Sequence, residues 1–283
     1  MAPSPRHFVS LGIFIVDEFE FIGADEKTVA RRTSDPQIGG GGTYASIGAR
    51  IWLPEDKVGM IVDRGHDWPN DIQKQLEVFG KDMWLFRDDA SRSTTKHLSR
   101  FQYLNPRLRI TPRDLADTKL ERPDALHFIC SPTRAKVIMS EVADADWSPI
   151  TIYEPIPDRC IPQELPSLLD VLPDISILSP NAEEALSLLS MHVPVTKVAV
   201  EEACNQFLKF GVGSDGTGSV IIRSGNLGAY VASSQRAGVW VDAYWTPEDE
   251  EKVVDVTGAG NAFLGGLAAG LKFTGGDVFE EDE

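Results

Sequence analysis

The segment VVDVTGAGNAFLGGLAAG, Val253 to Gly270, runs from a hydrophobic pair and an aspartate into a turn of Gly258, Ala259 and Gly260. It then continues as a long helix of small residues whose first turn carries Asn261. This is the layout of an anion site. Glycines let backbone N–H groups converge at a helix N-terminus, where unpaired donors and the helix dipole favour a phosphate or a developing oxyanion. The same residues also suit a helix packed closely on a neighbour, with Gly265, Gly266 and Gly270 admitting another backbone.

Composition narrows the setting. With 283 residues, 42% hydrophobic and 25% charged, the chain can bury a sizeable core in an α/β domain. A formal net charge of −16 gives no electrostatic footprint for nucleic acid or for an anionic membrane surface. Cys130, Cys160 and Cys204 are widely spaced and form no C-x-x-C pair, which argues against a disulfide framework or zinc site and fits a reducing cytoplasm. The run Phe8 to Val16 is short and meets Asp17 and Glu18 without a cleavage pattern, so it reads as a buried first strand rather than a signal peptide.

Upstream of the signature, apolar runs alternate with helical periodicity. Val58 to Val62, Ala125 to Cys130, Ile150 to Tyr153, Asp174 to Leu178 and Ser219 to Arg223 read as strands. Helices are expected over Ser46 to Leu53, Asn70 to Phe79, Thr133 to Val142 and Glu201 to Phe210, with Gly80 and Gly211 as stops. Met83 to Phe86 and Ser91 to Ile110 read as strands outside the main sheet, and Trp240 to Trp245 as a late strand. Proline-rich 149–180 implies an extended connection. The triplet Gly211, Gly213 and Gly216 has dinucleotide-fingerprint spacing, but it follows a helix and precedes a strand, the reverse of what that chemistry needs. A P-loop motif is absent from the sequence.

The ordered set of motifs resembles the ribokinase-like, phosphofructokinase-B type carbohydrate kinases from Gly12 to Gly270. Asp255, Thr257 and the Gly258, Ala259, Gly260 turn match that family's second signature, Asp-Thr-x-Gly-Ala-Gly-Asp. The four glycines Gly39 to Gly42 match its first signature in part, with Thr43 or Tyr44 where an asparagine belongs. The resemblance implies a three-layer α/β fold: a mainly parallel central sheet, helices on both faces and a small β lid from about 18–37 and 84–112. It also implies one domain over 1–283, ATP and Mg²⁺ as cofactors, a sugar-like substrate, and a second copy of the chain meeting the first through the lid.

Residue roles follow from the same resemblance. Asp17, Gly40, Gly41 and Thr43 would contact the sugar, with Asp17 as plain surface the alternative, and Arg92, Thr94, Thr95 and Arg100 are lid candidates. Asn181 and Glu184 keep the Asn-x-x-Glu spacing that organises Mg²⁺ around nucleotide phosphates, although an asparagine cap and dipole-facing glutamates account for the same residues. Gly225 and Gly228 match a Thr-x-Gly-x-x-Gly turn beside ATP. Arg223 replaces the threonine there, either pairing with phosphate or filling the nucleotide's space. Glu154-Pro155 stands where relatives tend to have Asp-Pro.

Two departures put activity in question. Asn261 occupies the place of the catalytic aspartate and cannot take a proton at neutral pH. Only 22 residues follow it in the 283-residue chain, fewer than the segment with which relatives complete the adenine pocket, so either the C-terminal part is truncated or the nucleotide site is open on one side. The glycine loop paired with Gly-Ala-Gly-Asn is similar to the fungal branch associated with maintenance of killer virus in yeast. Two functions follow as expectations: an impaired carbohydrate kinase, or a pseudoenzyme that binds nucleotide or sugar or acts in protein assembly.

Overall fold

Segments with no polar face must satisfy their backbone groups by pairing on both sides, which is why the apolar runs collect in one sheet. The structure, a computed structural model, describes residues 5–18, 20–21, 32–33, 36–98, 102–103 and 108–279. In chain order the strands are β1 (Phe8–Ser10), β2 (Ile15–Glu18), β3 (Glu20–Phe21), β4 (Arg32–Thr33), β5 (Gln37–Gly39), β6 (Val58–Gly65), β7 (Trp84–Asp89) and β8 (Lys96–Leu98). They continue with β9 (Gln102–Tyr103), β10 (Ala125–Cys130), β11 (Ile150–Pro155), β12 (Ile177–Leu178), β13 (Ser219–Arg223), β14 (Ala229–Ser233) and β15 (Val239–Val241). The helices are α1 (Gly41–Arg50), α2 (Asn70–Glu77), α3 (Pro132–Asp144), α4 (Leu165–Leu169), α5 (Ala182–Leu188), α6 (Lys197–Phe210) and α7 (Ala259–Phe273).

Among the described residues the main sheet has nine strands in the order β15-β14-β13-β12-β11-β10-β1-β6-β7. Pairing is parallel from β13 through β7, while β14 and β15 add antiparallel at one edge. Period-two alternation divides the core into two clusters. Val220 and Ile222 face the cluster that includes Ile138 of α3, Leu186 of α5 and Phe207 of α6, while Ile221 faces Ala45 of α1, Leu76 of α2 and Leu264 of α7. A separate four-stranded sheet, β5-β2-β8-β9, and the β3-β4 pair stand apart from it.

Several sequence expectations change here. Phe8 to Val16 is not one strand: β1 ends at Ser10, and the chain crosses into β2 of the smaller sheet. The break falls at Gly12, where an added Cβ would lie 2.5 Å from the Gly42 backbone, so the chain turns beneath the start of α1. Leu11, Phe14 and Val16 stay buried after the crossing, which disguises the break as one apolar run. β7 joins the main sheet beside β6 rather than the lid, because Trp84 is buried with its indole N–H donating to the Leu76 carbonyl of α2 at 2.9 Å.

The proline-rich 149–180 connection folds into short helical turns and α4 instead of running extended. Leu168, Val171 and Leu172 are fully buried, and that apolar burial outweighs the missing proline donors. The Ile175 N–H closes such a turn on Leu172, which shortens the expected Asp174 to Leu178 strand to β12. The late strand is Val239–Val241 rather than Trp240 to Trp245. Lid strands expected within 22–31 and the candidate Arg100 lie outside the described residues.

α1 and α7 touch backbone to backbone. An added Cβ at Gly48 would sit 2.2 Å from the Ala262 carbonyl oxygen, and one at Gly265 would collide with that of Ala45. Gly270 meets nothing within 4 Å, and Gly266 meets only the Trp52 indole at 3.5 Å, so of the three glycines only Gly265 carries the close packing. Gly265→Ala is therefore expected to destabilise the fold by about 1–3 kcal/mol through overpacking. Gly270→Ala should stabilise it by about 0.5–1 kcal/mol through helix propensity alone. Urea unfolding midpoints of the two variants check the contrast.

Candidate functional site

The ends of β10, β11 and β13 and the first turns of α1, α5 and α7 surround a cavity of about 920 Å³. This is where open parallel sheets place ligands, outside the carboxyl ends of the strands. One wall is glycine backbone from Gly12, Gly41 and Gly260, and another is apolar, from Ile110, Phe128 and Ile156. Asn181, Glu184, Glu154, Arg223 and Asn261 all line the same space.

These polar residues form one network. Asn261 Nδ2 donates to Glu154 Oε2 at 2.8 Å, and Arg223 Nη2 pairs with Glu154 Oε1 at 2.9 Å. The same Nη2 donates to the Ser179 carbonyl at 3.0 Å and lies 3.8 Å from Glu184 Oε2. His127 is fully buried in β10, with Nδ1 3.0 Å from Ser10 Oγ. Ser10 Oγ also accepts from the Gly12 N–H at 3.1 Å. His127 Nε2 is 3.4 Å from Glu154 Oε2, within ion-pair range, and is buried without a hydrogen-bond partner.

Burial pushes the Glu154 carboxyl up, but Arg223, with help from His127 and Asn261, more than offsets this and holds it below the usual glutamate value. Glu184 goes the other way: burial dominates over the Asn181 N–H and Arg223, and pushes it up to about 7. Asn181 and Glu184 form a reciprocal capping box on α5, with Asn181 Oδ1 accepting from the Glu184 N–H at 2.8 Å and Glu184 Oε2 from the Asn181 N–H at 2.7 Å.

The remaining sequence-predicted residues divide. Gly41 backs directly on Asn261, where an added Cβ would stand 3.0 Å from Asn261 Nδ2. Gly258 caps α7 at φ 74°, and an added Cβ would strike the Tyr44 ring. Ala259 opens that helix, while Asp255 is exposed and accepts from the Thr257 N–H at 2.8 Å, holding the loop that leads into it.

Gly40 takes φ 96° before α1, but Thr43 is buried, with its hydroxyl donating to the Gly39 carbonyl at 2.9 Å and no place in the cavity lining. Asp17 sits in β2, 3.2 Å from His97 Nδ1; burial raises its pKa against the lowering effect of His97. Gly225 and Gly228 form the tight connection of the β13-β14 hairpin, away from the cavity lining. Thr94 and Thr95 are buried, with Thr94 Oγ1 accepting from the Gly65 N–H and Thr95 Oγ1 from Arg92, so neither is a solvated lid position.

His127 is a member of this network that sequence reasoning passed over, and Glu154 is one whose role it left unassigned. The signal for His127 was an imidazole inside an otherwise apolar strand, which reads equally as a satisfied core histidine.

A phosphate fits this site: the glycine turn opens α7, and the Arg223 side chain lies against Gly260, an added Cβ there falling on Nη1. Mg²⁺ does not fit the residues as they stand. Asn181 and Glu184 hold each other, Arg223 stands between the two carboxylates, and no group of three His, Cys, Asp or Glu among the described residues is arranged to hold a metal ion.

The raised Glu184 value carries a stability consequence. Its pKa moves from 4.5 unfolded to about 7 folded, so the folded chain holds this proton more tightly. That contribution is full below about pH 4.5 and is lost as pH rises through about 7, about 3 kcal/mol in all. Glu184→Gln keeps a cap acceptor and removes the titration. The variant should be less pH-sensitive than the parent in urea midpoints taken at about pH 5 and about pH 8.

Residues 128–278 match the pfkB family of carbohydrate kinases. The chain is 32% identical to an uncharacterised protein of Schizosaccharomyces pombe over 283 residues, 91% of this chain and 76% of that one. It is also 32% identical to protein MAK32 of Saccharomyces cerevisiae over 295 residues, 94% of this chain and 78% of the relative. Among solved structures, ribokinase from Cryptococcus neoformans in complex with ADP superposes with a TM-score of 0.67 at 18% identity, covering 97% of this chain and 89% of that one. No helix among the described residues is long and apolar enough to cross a membrane. The parallel sheet, the small separate sheet and these relatives agree: this chain belongs to the pfkB family of carbohydrate kinases.

Proposed function

We propose that the chain is a carbohydrate-kinase-type protein that holds a nucleotide phosphate at the start of α7 and a sugar-like hydroxyl beside Asn261, with phosphoryl transfer far slower than a complete site would give. The observation that carries this reading is the 2.8 Å hydrogen bond from Asn261 Nδ2 to Glu154. With an amide N–H committed to Glu154, Asn261 keeps Oδ1 as an acceptor for a hydroxyl proton. Gly41 closes on the Nδ2 side, where an added Cβ would strike the Ile129 side chain and stand 3.0 Å from Asn261 Nδ2.

In transfer, the sugar oxygen bonds to phosphorus as the bond to the leaving ADP oxygen breaks, and the hydroxyl proton passes to water. Asn261 orients the nucleophile but does not take the proton. Phosphoryl transfer depends mostly on positioning and charge stabilisation, and a base adds about 10²–10⁴ in rate. Binding therefore survives where turnover does not. A binder with no turnover is the second reading, favoured by the Arg223 guanidinium lying against Gly260, where it narrows the phosphate turn. Three free cysteines accord with a reducing cytoplasm. The smaller sheet is the surface through which a second copy would dock.

Restoring the base needs two changes, because a carboxylate at position 261 would sit at hydrogen-bond distance from Glu154 and one of the pair would stay protonated. Asn261→Asp alone is expected to gain little. Asn261→Asp combined with Glu154→Gln keeps the net charge and should raise sugar-dependent ADP release by about 10²–10⁴ over the parent chain. ADP release is followed by a coupled assay against a panel of sugars. Rapid turnover by the parent chain, or no gain in the double variant, refutes the slow-kinase reading.

A further inference from the structure

Two acids and one guanidinium make the floor of the cavity, with side chains 9% (Glu154), 8% (Glu184) and 12% (Arg223) exposed. Arg223 Nη2 lies 2.9 Å from Glu154 Oε1 and 3.8 Å from Glu184 Oε2, the place of a cation bridging the two carboxylates. A guanidinium is planar, permanently charged and carries five N–H donors. Its Nη2 edge is taken by protein oxygens, whereas Nε is buried without an acceptor and Nη1 lies against Gly260. Nη1 therefore meets the first turn of α7, where the Ala259 N–H is taken by the Val256 carbonyl at 3.1 Å and the Gly260 and Asn261 N–H groups have no intrahelical acceptor.

We propose that Arg223 is a resident cation: it takes the place of a divalent ion between Glu154 and Glu184, and with the start of α7 it holds the terminal phosphoryl group of a ligand without metal. This deepens the kinase-type reading above and rests on it. A divalent ion entering between the acids would meet the guanidinium at contact distance in a poorly solvated pocket, where like charges repel strongly. The Asn181 and Glu184 atoms that would ligate it are already committed to the α5 capping box. The ligand class is a phosphate monoester or polyphosphate end, carried by a nucleotide or by a phosphorylated sugar.

The test is calorimetric titration of the full chain with ATP, glucose 6-phosphate and inorganic phosphate, each in excess EDTA and in excess MgCl₂. At least one probe should bind in EDTA with a Kd within about threefold of its value in MgCl₂ or tighter, and which one binds identifies the source of the phosphate. Arg223→Met should weaken binding in EDTA by about tenfold or more, the loss of one charge-assisted contact. Arg223→Lys keeps the charge without the fork and should retain metal-free binding at reduced affinity, which covers the case in which the methionine variant does not fold. Mn²⁺ alone, followed by electron paramagnetic resonance, should show no tight binding to the parent chain. Binding of ATP only with MgCl₂, tight Mn²⁺ binding by the parent chain, or undiminished EDTA binding in Arg223→Met overturns the resident cation and leaves the kinase-type reading standing. No binding of any probe under either condition overturns both.

Discussion

The site exists because α1 and α7 meet without side chains between them. Gly48 lies against the Ala262 backbone and Gly265 against Ala45, so the axes approach as closely as backbone atoms allow. That approach brings Gly41, at the start of α1, up to Asn261, in the first turn of α7. Gly12 completes the corner by letting the chain leave β1 under Gly42. Any Cβ at these positions would push one helix N-terminus away from the other and open the wall of the cavity. The close-packing reading and the anion-site reading of the glycine signature therefore describe two faces of one helix: Gly265 packs, and Gly260 and Asn261 line the cavity.

Electrostatics at the floor depends on that geometry. Glu154, Glu184 and Arg223 are all desolvated, and a buried ion pair is weak evidence of stability because desolvation offsets most of its attraction. What the arrangement supplies is a fixed charge at a fixed point. Arg223 is tied to Glu154, Ser179 and the edge of Glu184, and the unequal sharing shows in the two acids: Glu154, with the short contact, stays ionised, while Glu184, at 3.8 Å, is held mainly by its own helix cap and is pushed up to about 7.

Sequence reasoning reached the fold because its signals were local and periodic: buried strands, helix stops at Gly80 and Gly211, and the glycine turn before α7. It failed where one apolar run served two sheets, as at Phe8 to Val16, and where burial of Trp84 drew β7 to the sheet edge. At the site, Asn181, Glu184, Arg223, Gly260 and Asn261 were legible as motif positions and do share one cavity. Thr43 was legible only as a hydroxyl in a glycine loop, and such a hydroxyl looks the same in sequence whether it faces a ligand or, as here, donates to the Gly39 carbonyl at the end of β5. His127 was invisible for a different reason: the partner that gives it meaning, Glu154, is 27 residues away in sequence and adjacent only through the parallel pairing of β10 and β11.

Two of the departures from the family's motifs, at 261 and 223, make one electrostatic change. Asparagine for aspartate at 261 removes a negative charge, and arginine for threonine at 223 adds a positive one. Together they shift the cavity by two positive charges, the charge of a single divalent ion. Their side chains meet on the same acid, with Asn261 on Glu154 Oε2 and Arg223 on Oε1. With aspartate at 261 and no arginine, Glu154, Glu184 and residue 261 would be three acids in one desolvated pocket, a state relieved by a bound cation or by protonation. With Asn261 and Arg223, the pocket closes its own charge balance from within the chain. That internal balance comes with an amide at 261, which cannot take a proton at neutral pH.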